Sequence, residues 1–182
     1  MTWYDFFKFL HVASAVIWIG GAFIMVILGV RADRANDNAE IVQMVRQVAW
    51  AGERIYMPAS IATLVFGLIV AWMGNLWANL WIILGLVGIA ITIATGILVL
   101  TPRTKRVETS FASGGATPAV VATCREILTI AKFDLVLLFT IIADMVLKPT
   151  PADWIVLAIM AIVLIVAGIA FLMPVRRASA TA

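Results

Sequence analysis

Residues 78–101 read ANLWIILGLVGIAITIATGILVLT, from Ala78 to Thr101, without one ionisable side chain. A helix needs about 20 apolar residues to cross the roughly 30 Å hydrocarbon core of a bilayer, and this stretch meets that need. Four more runs do the same: Asp5–Val30, Ile55–Gly74, Cys124–Leu147 and Asp153–Met173. None alternates with the period of two that a transmembrane β-strand requires. Apolar residues make up 64% of the chain and charged residues 13%, against about 45–50% and about 25% in an ordinary soluble domain. Disorder, a collagen-like repeat and a disulfide scaffold are excluded by that balance. The expected fold class is all-α: a polytopic transmembrane helical bundle of five spans, forming a single integral membrane domain over residues 1–182. The first run is longer than the 7–15 apolar residues of a signal peptide and lacks a basic cluster before it, so it reads as a retained span.

Punctuation between the runs supports these limits. The six prolines, Pro58, Pro102, Pro118, Pro149, Pro151 and Pro174, fall at or near proposed helix ends, where a missing N–H costs least. Gly74-Asn75 is a turn signal between spans two and three. Five of the seven tryptophans, Trp3, Trp72, Trp77, Trp81 and Trp154, gather at one set of ends, as in an interfacial belt. Ten basic residues fall at the other ends: Arg31, Arg34, Arg46, Arg54, Arg103, Lys105, Arg106, Arg125, Arg176 and Arg177. The positive-inside rule puts those ten in the cytoplasm, with the N-terminus outside and the C-terminus inside.

Two segments at the basic ends differ in kind. Residues 38–54 place Ile41, Val45, Val48 and Gly52 on one helical face, with Glu40, Gln43, Arg46, Gln47, Glu53 and Arg54 opposite. This predicts a cytoplasmic amphipathic helix that lies on the membrane or leads into span two. Residues 102–117 contain Ser113-Gly114-Gly115 and read as a flexible loop, closed by Thr117-Pro118 as a helix cap and first position.

Ionisable side chains within lipid are costly and mark candidate functional positions. Tyr4, Lys8, His11, Trp18, Ala22 and Met25 share one stripe of span one at 100° per residue. His11 lies about 9 Å inward of Asp5, and Asp144 about 6 Å below Lys148, by helical rise. Asp144 and Lys148 are four apart, acid first, and can pair. If spans one and four are neighbours, Lys8, His11, Asp144 and Lys148 form one outer-leaflet polar cluster. In the simpler reading the lysines snorkel to the interface and His11 makes one structural hydrogen bond. Asp134 sits near the bilayer midplane. It must be neutral, bathed in water or paired with another helix: a proton relay in one reading, a hydrogen bond to a hydroxyl such as Thr63 or Thr92 in the other. Span three carries Gly85, Gly88, Thr92 and Gly96, a small-residue stripe suited to close helix packing within the chain or in a dimer.

Several of these stretches together resemble a known family. They are Lys8-x-x-His11, Trp18-x-Gly20-Gly21, Arg31-Ala32-Asp33-Arg34, Gly85-Leu86-Val87-Gly88, Thr95-Gly96 and Asp144-Met145-Val146-Leu147-Lys148-Pro149. The resemblance, over about residues 5–150, is to the bacterial predicted integral membrane proteins grouped as domain of unknown function 2269. It implies a bacterial inner-membrane location and no assigned activity. Lys8, His11, Trp18 and Gly20 are also similar to the copper-resistance D-type membrane proteins and to HemJ-type protoporphyrinogen oxidases. In the latter a first-helix histidine is a haem ligand, which makes His11 a candidate ligand for haem b.

The function classes follow. The net charge of +3 is too scattered for a nucleic-acid surface. One cysteine, Cys124, and one histidine exclude an intramolecular disulfide, a multi-histidine zinc site and bis-histidine haem within one protomer. The first expectation is a non-catalytic accessory or interaction protein in the lipid bilayer, with no cofactor assigned, as a homodimer or part of a larger membrane complex. The alternatives are a haem or redox protein using His11 and a proton- or solute-coupled carrier using Asp134 and Asp144.

Overall fold

The computed structural model describes residues 2–35 and 37–173; Pro174, Arg176 and Arg177 lie outside them. The described residues are helical throughout, with short turns and no strand. Helix α1 covers Trp3–Arg34 and opens on a capping box in which Thr2 and Asp5 exchange hydrogen bonds. Helix α2, Asn38–Ala51, runs through a π-helical turn, Gly52–Tyr56, into α3, Met57–Met73. Helix α4, Leu80–Ala94, runs through a second π-turn, Thr95–Leu100, into α5, Thr101–Gly114. Helix α6 is Pro118–Leu147. Helix α7 is Trp154–Ala167 and ends in a third π-turn, Gly168–Leu172.

Four of these rods are long and apolar enough to cross a membrane: Trp3–Arg34, Asn38–Met73, Leu80–Gly114 and Trp154–Leu172. Helix α6, with 30 residues, is also long enough, but Lys132, Asp134 and Asp144 lower its apolar character. Successive rods run antiparallel. Phe7 meets Phe66 and Gly21 meets Tyr56 between α1 and the α2–α3 rod. Gly85 faces Met145 and Gly88 faces Ile141 between α4 and α6. Phe23 packs on Phe139, and Gly29 on Leu128, between α1 and α6. Helix α7 packs on α6 and presents Ile155, Ile159, Ile162 and Ile165 outward.

Two expectations are corrected, and a third is decided between its alternatives. Residues 102–117 are not a loop, because α5 carries the third rod on to Gly114. Pro102 and Pro58 do not end their rods. Each follows a π-turn, in which Thr101 N–H reaches Gly96 O and Met57 N–H reaches Gly52 O, five residues back. The proline then stands in the first turn of the next α segment, where its missing N–H and ring are tolerated. Of the two placements expected for the amphipathic helix, α2 takes the one that leads into the second span, and its apolar face is not laid on lipid. Ile41, Val42 and Val45 are buried with Ala32 of α1, Val107 of α5, and Val120, Val121, Cys124 and Ile127 of α6. The amphipathic pattern was real, but protein covers it, and α2 leads straight into α3.

Helix length explains this second core. At 1.5 Å per residue the 36-residue and 35-residue rods measure about 50 Å, some 20 Å more than the hydrocarbon. The surplus, at the end rich in Arg and Glu, packs as a small bundle. Arg125 Nε lies 2.7 Å from Asp33 Oδ1, Arg103 lies 3.6 Å from Glu126, and the Arg46 guanidinium lies over the Phe111 ring. These partly exposed pairs add at most about 1 kcal/mol each. A smaller core of Trp18, Ile19, Ala59, Ile89 and Leu138 joins the apolar parts of α1, α3, α4 and α6.

Close contact at glycine is the main device of the α4–α6 seam. A Cβ at Gly88 would lie 2.7 Å from Ile141 Cγ1. Gly88→Val is therefore expected to lower stability by about 1–3 kcal/mol through overpacking, read as a lower melting temperature of the detergent-solubilised protein. A Cβ at Gly96 meets nothing within 4 Å, so Gly96→Ala should leave the melting temperature unchanged or raise it.

Candidate functional site

Helix α6 brings Asp134 inward, one turn below Leu138 of the small core and opposite Thr92 of α4. Between them and the basic end of the bundle lies a cavity of about 320 Å³. Its walls come from α1 (Trp18, Met25), α2 (Met44), the first π-turn (Tyr56) and α6 (Leu135). Asp134 and Thr92 stand at one end; Glu53, Lys105 and Glu108 stand at the other. The volume falls at the lower edge of the usual small-molecule range of about 300–1,000 Å³. Along the rod, Thr92 and Lys105 are 13 residues apart, so the cavity is about 20 Å long. Met57, Ile61 and Ile97 line it while remaining exposed on the bundle's flank. The cavity is therefore also open sideways, between α3 and the second π-turn.

Its polar end is left unfinished by the protein. Ser60, Thr63 and Thr140 hand their hydroxyl protons to a carbonyl one turn back, the usual habit of such residues in helices. Thr92 Oγ1 has no such partner, and neither has Asp134 Oδ1. Thr92 faces the Asp134 carboxyl, but their approach falls outside hydrogen-bond geometry. Thr63, the other hydroxyl considered for Asp134, donates to Ala59 O at 2.8 Å instead.

The four residues of the outer polar set find separate surroundings. His11 Nδ1 lies 2.8 Å from Thr63 O. A carbonyl can only accept, so Nδ1 carries a proton, and in the neutral ring Nε2 then holds the lone pair. The ring rests in a notch at Gly67, where a Cβ would come within 2.9 Å of Cε1. Lys148 closes α6 in a left-handed conformation, φ 50° and ψ 55°, and its Nζ lies 5.3 Å from the Trp81 ring centre, a cation–π contact. Lys8 is exposed. Asp144 is 1% exposed, beside Gly85, and neither carboxyl oxygen has a hydrogen-bond partner. Helices α1 and α6 do touch, but the Asp144 carboxyl bonds to neither the His11 nor the Lys148 side chain; the Lys148 backbone N–H donates to Asp144 O.

Of the small-residue stripe, Gly85 and Gly88 face α6, whereas Thr92 and Gly96 line the cavity. Sequence reasoning missed the cavity walls, notably Gly52, Tyr56 and Met44. A signal was present: Gly52 and Pro58, Gly96 and Pro102, and Gly168 and Pro174 all share one Gly-x5-Pro spacing. Each glycine is the first or second residue of a π-turn.

Among known proteins, a family model described as a predicted integral membrane protein, DUF2269, matches residues 5–149. No curated protein and no solved structure matches the chain.

A buried acid without a partner costs stability. Asp144→Asn keeps the shape and removes the charge, and is expected to raise stability by about 1 kcal/mol, seen as a higher melting temperature. A lower one would mean that the charge itself holds the α4–α6 seam.

Proposed function

The chain belongs to the DUF2269 family of predicted integral membrane proteins, and from that starting point we propose that it is a non-catalytic component of the bacterial cytoplasmic membrane that binds a small molecule between its helices. The observation that carries this reading is the cavity running from Lys105 and Glu108 to Asp134 and Thr92. One acid and one hydroxyl at the inner end of a cavity with largely apolar walls suit binding, since they orient a ligand whose body the walls bury. In this reading the bundle spans five times, with α6 as the fourth span, and the basic end faces the cytoplasm. A homodimer or a larger complex would extend the α7 flank.

A second reading has one specific observation behind it. Ligating histidines commonly donate their other ring nitrogen to a carbonyl, which fixes the tautomer. His11 does this towards Thr63 O, leaving Nε2 to ligate. The residues fit a haem b to that extent: His11 would hold the iron from one side, and Gly67 keeps the ring in place. The haem would supply redox chemistry.

Three measurements separate these statements. Asn75→Cys and Ala152→Cys, in a Cys124→Ala background, should react with an impermeant maleimide in intact cells, and Ser113→Cys only after permeabilisation; the reverse pattern overturns the orientation. Native mass spectrometry of the full chain in nanodiscs should show a small-molecule adduct that Gly96→Leu removes, because that side chain fills the cavity. No adduct on the wild type counts against the binding reading. A Soret band in protein from haem-replete cells, lost in His11→Ala, would favour the second reading, and its absence would remove it.

A further inference from the structure

We propose that the cavity takes a single-chain lipophilic primary amine, its ammonium group held between Asp134 and Thr92 and its hydrocarbon body lying along Met25, Met44 and Tyr56. The inference rests on the cavity being a ligand site, and it adds the chemistry of the ligand. Three observations carry it. The first is the unfinished polar end. Asp134 Oδ1 and Thr92 Oγ1 both lack partners, in a setting where an unpaired polar atom is costly. An ammonium group offers three N–H donors and no acceptor, so one group can serve both oxygens. Its charge complements the acid, whereas a carboxylate or phosphate there would be repelled.

The second is the wall. Between its two polar ends the cavity is bounded by Trp18, Met25, Met44, Tyr56 and Leu135, apolar or polarisable side chains that suit an alkyl chain. A polyamine, charged along its length, would leave its middle charges unpaired there. Two wall glycines, Gly52 and Gly96, have open space where a Cβ would stand, which keeps the passage wide enough for a slender body.

The third is access. Met57, Ile61 and Ile97 belong both to the cavity and to the exposed flank of the bundle. An amphiphile dissolved in the bilayer can slide in sideways between α3 and the second π-turn, head first, without crossing the charged end. A length of about 20 Å from Thr92 to Lys105 accommodates a chain of medium length.

The test uses the full-length chain in phosphatidylcholine nanodiscs, with empty nanodiscs subtracted. Binding of radiolabelled decylamine, decanol and decanoate is measured by equilibrium dialysis. Decylamine is expected to saturate at one per chain and to bind at least tenfold more tightly than decanol or decanoate, a comparison that needs no variant. Asp134→Asn should weaken decylamine at least tenfold, Thr92→Val several-fold, and Asp134→Glu much less than Asp134→Asn. Gly96→Leu should block it. Decanol binding as tightly as decylamine, with Gly96→Leu still blocking both, would overturn the amine while leaving the cavity as a ligand site. Saturable decylamine binding that neither Asp134→Asn nor Gly96→Leu alters would overturn the placement. No saturable binding of any of the three would overturn the proposal, with the adduct measurement above judging the cavity separately.

Discussion

The hydrophobic effect acts only where water is the alternative, and in this chain that is the part of the bundle beyond the hydrocarbon. Within lipid an exposed Ile loses nothing, and α7 shows it: Ile155, Ile159, Ile162 and Ile165 all face outward. There the helices are held by shape, through glycines at Gly29, Gly85 and Gly88 that let a neighbour's side chain approach closely. Beyond lipid the ordinary rules return. Val42, Val107 and Cys124, each 1% exposed or less, belong to the bundle at the basic end, where burying them excludes water. The long rods join the two regimes, so the packing of α2 and α5 fixes the positions at which α3 and α4 enter the membrane.

At that junction fall two of the three Gly-x5-Pro repeats, Gly52 to Pro58 and Gly96 to Pro102. A proline inside a continuous helix forces a clash with the carbonyl four residues back and leaves that carbonyl without its N–H. The π-turn relieves the clash by widening the coil, and polar side chains add hydrogen bonds to carbonyls of that turn: Thr101 Oγ1 donates to Gly96 O, and Arg103 donates to Val99 O. Two of these widened turns are Gly52–Tyr56 and Thr95–Leu100. Both contribute to the cavity wall. The cavity thus follows from how two prolines are tolerated in rods too long to be broken there.

Much of the fold could be read from the residues. The apolar runs lie in helices, Thr117 caps α6 by accepting from Val120 N–H, and Gly74-Asn75 forms the turn before α4, with Asn75 at φ 50°. Residues 102–117 misled because Pro, Ser and Gly usually mark loops, while the tertiary partner that rewards a helix there, α2 against Val107 and Phe111, is not local. The amphipathic face at Ile41 and Val45 was legible, but periodicity does not say whether lipid or protein covers a face. The polar residues were harder still. Helical phase placed His11 and Asp144 at similar depth, yet depth says nothing of azimuth, and His11 turned to α3 while Asp144 turned to α4.

Helix α6 shows why its acids are tolerated at all. An Asp at the centre of a lone span costs about 2.5–3.5 kcal/mol on insertion scales, and this helix carries Asp134 and Asp144 together with Lys132. It is also the helix that touches α1, α2, α4, α5 and α7, so Asp134 and Asp144 face protein rather than acyl chains. Helix α7, which packs on α6 alone among the other long helices, has no charged residue between Trp154 and Leu172. Polarity within this chain therefore follows the number of helical neighbours. Shielding explains how an acid survives there, but not why one is present, since an apolar residue would survive at lower cost. Asp144, enclosed at the α4–α6 seam, and Asp134, open to a cavity, are the two places where that cost is unrecovered within the chain. Only Asp134 has room beside it for something else to recover it.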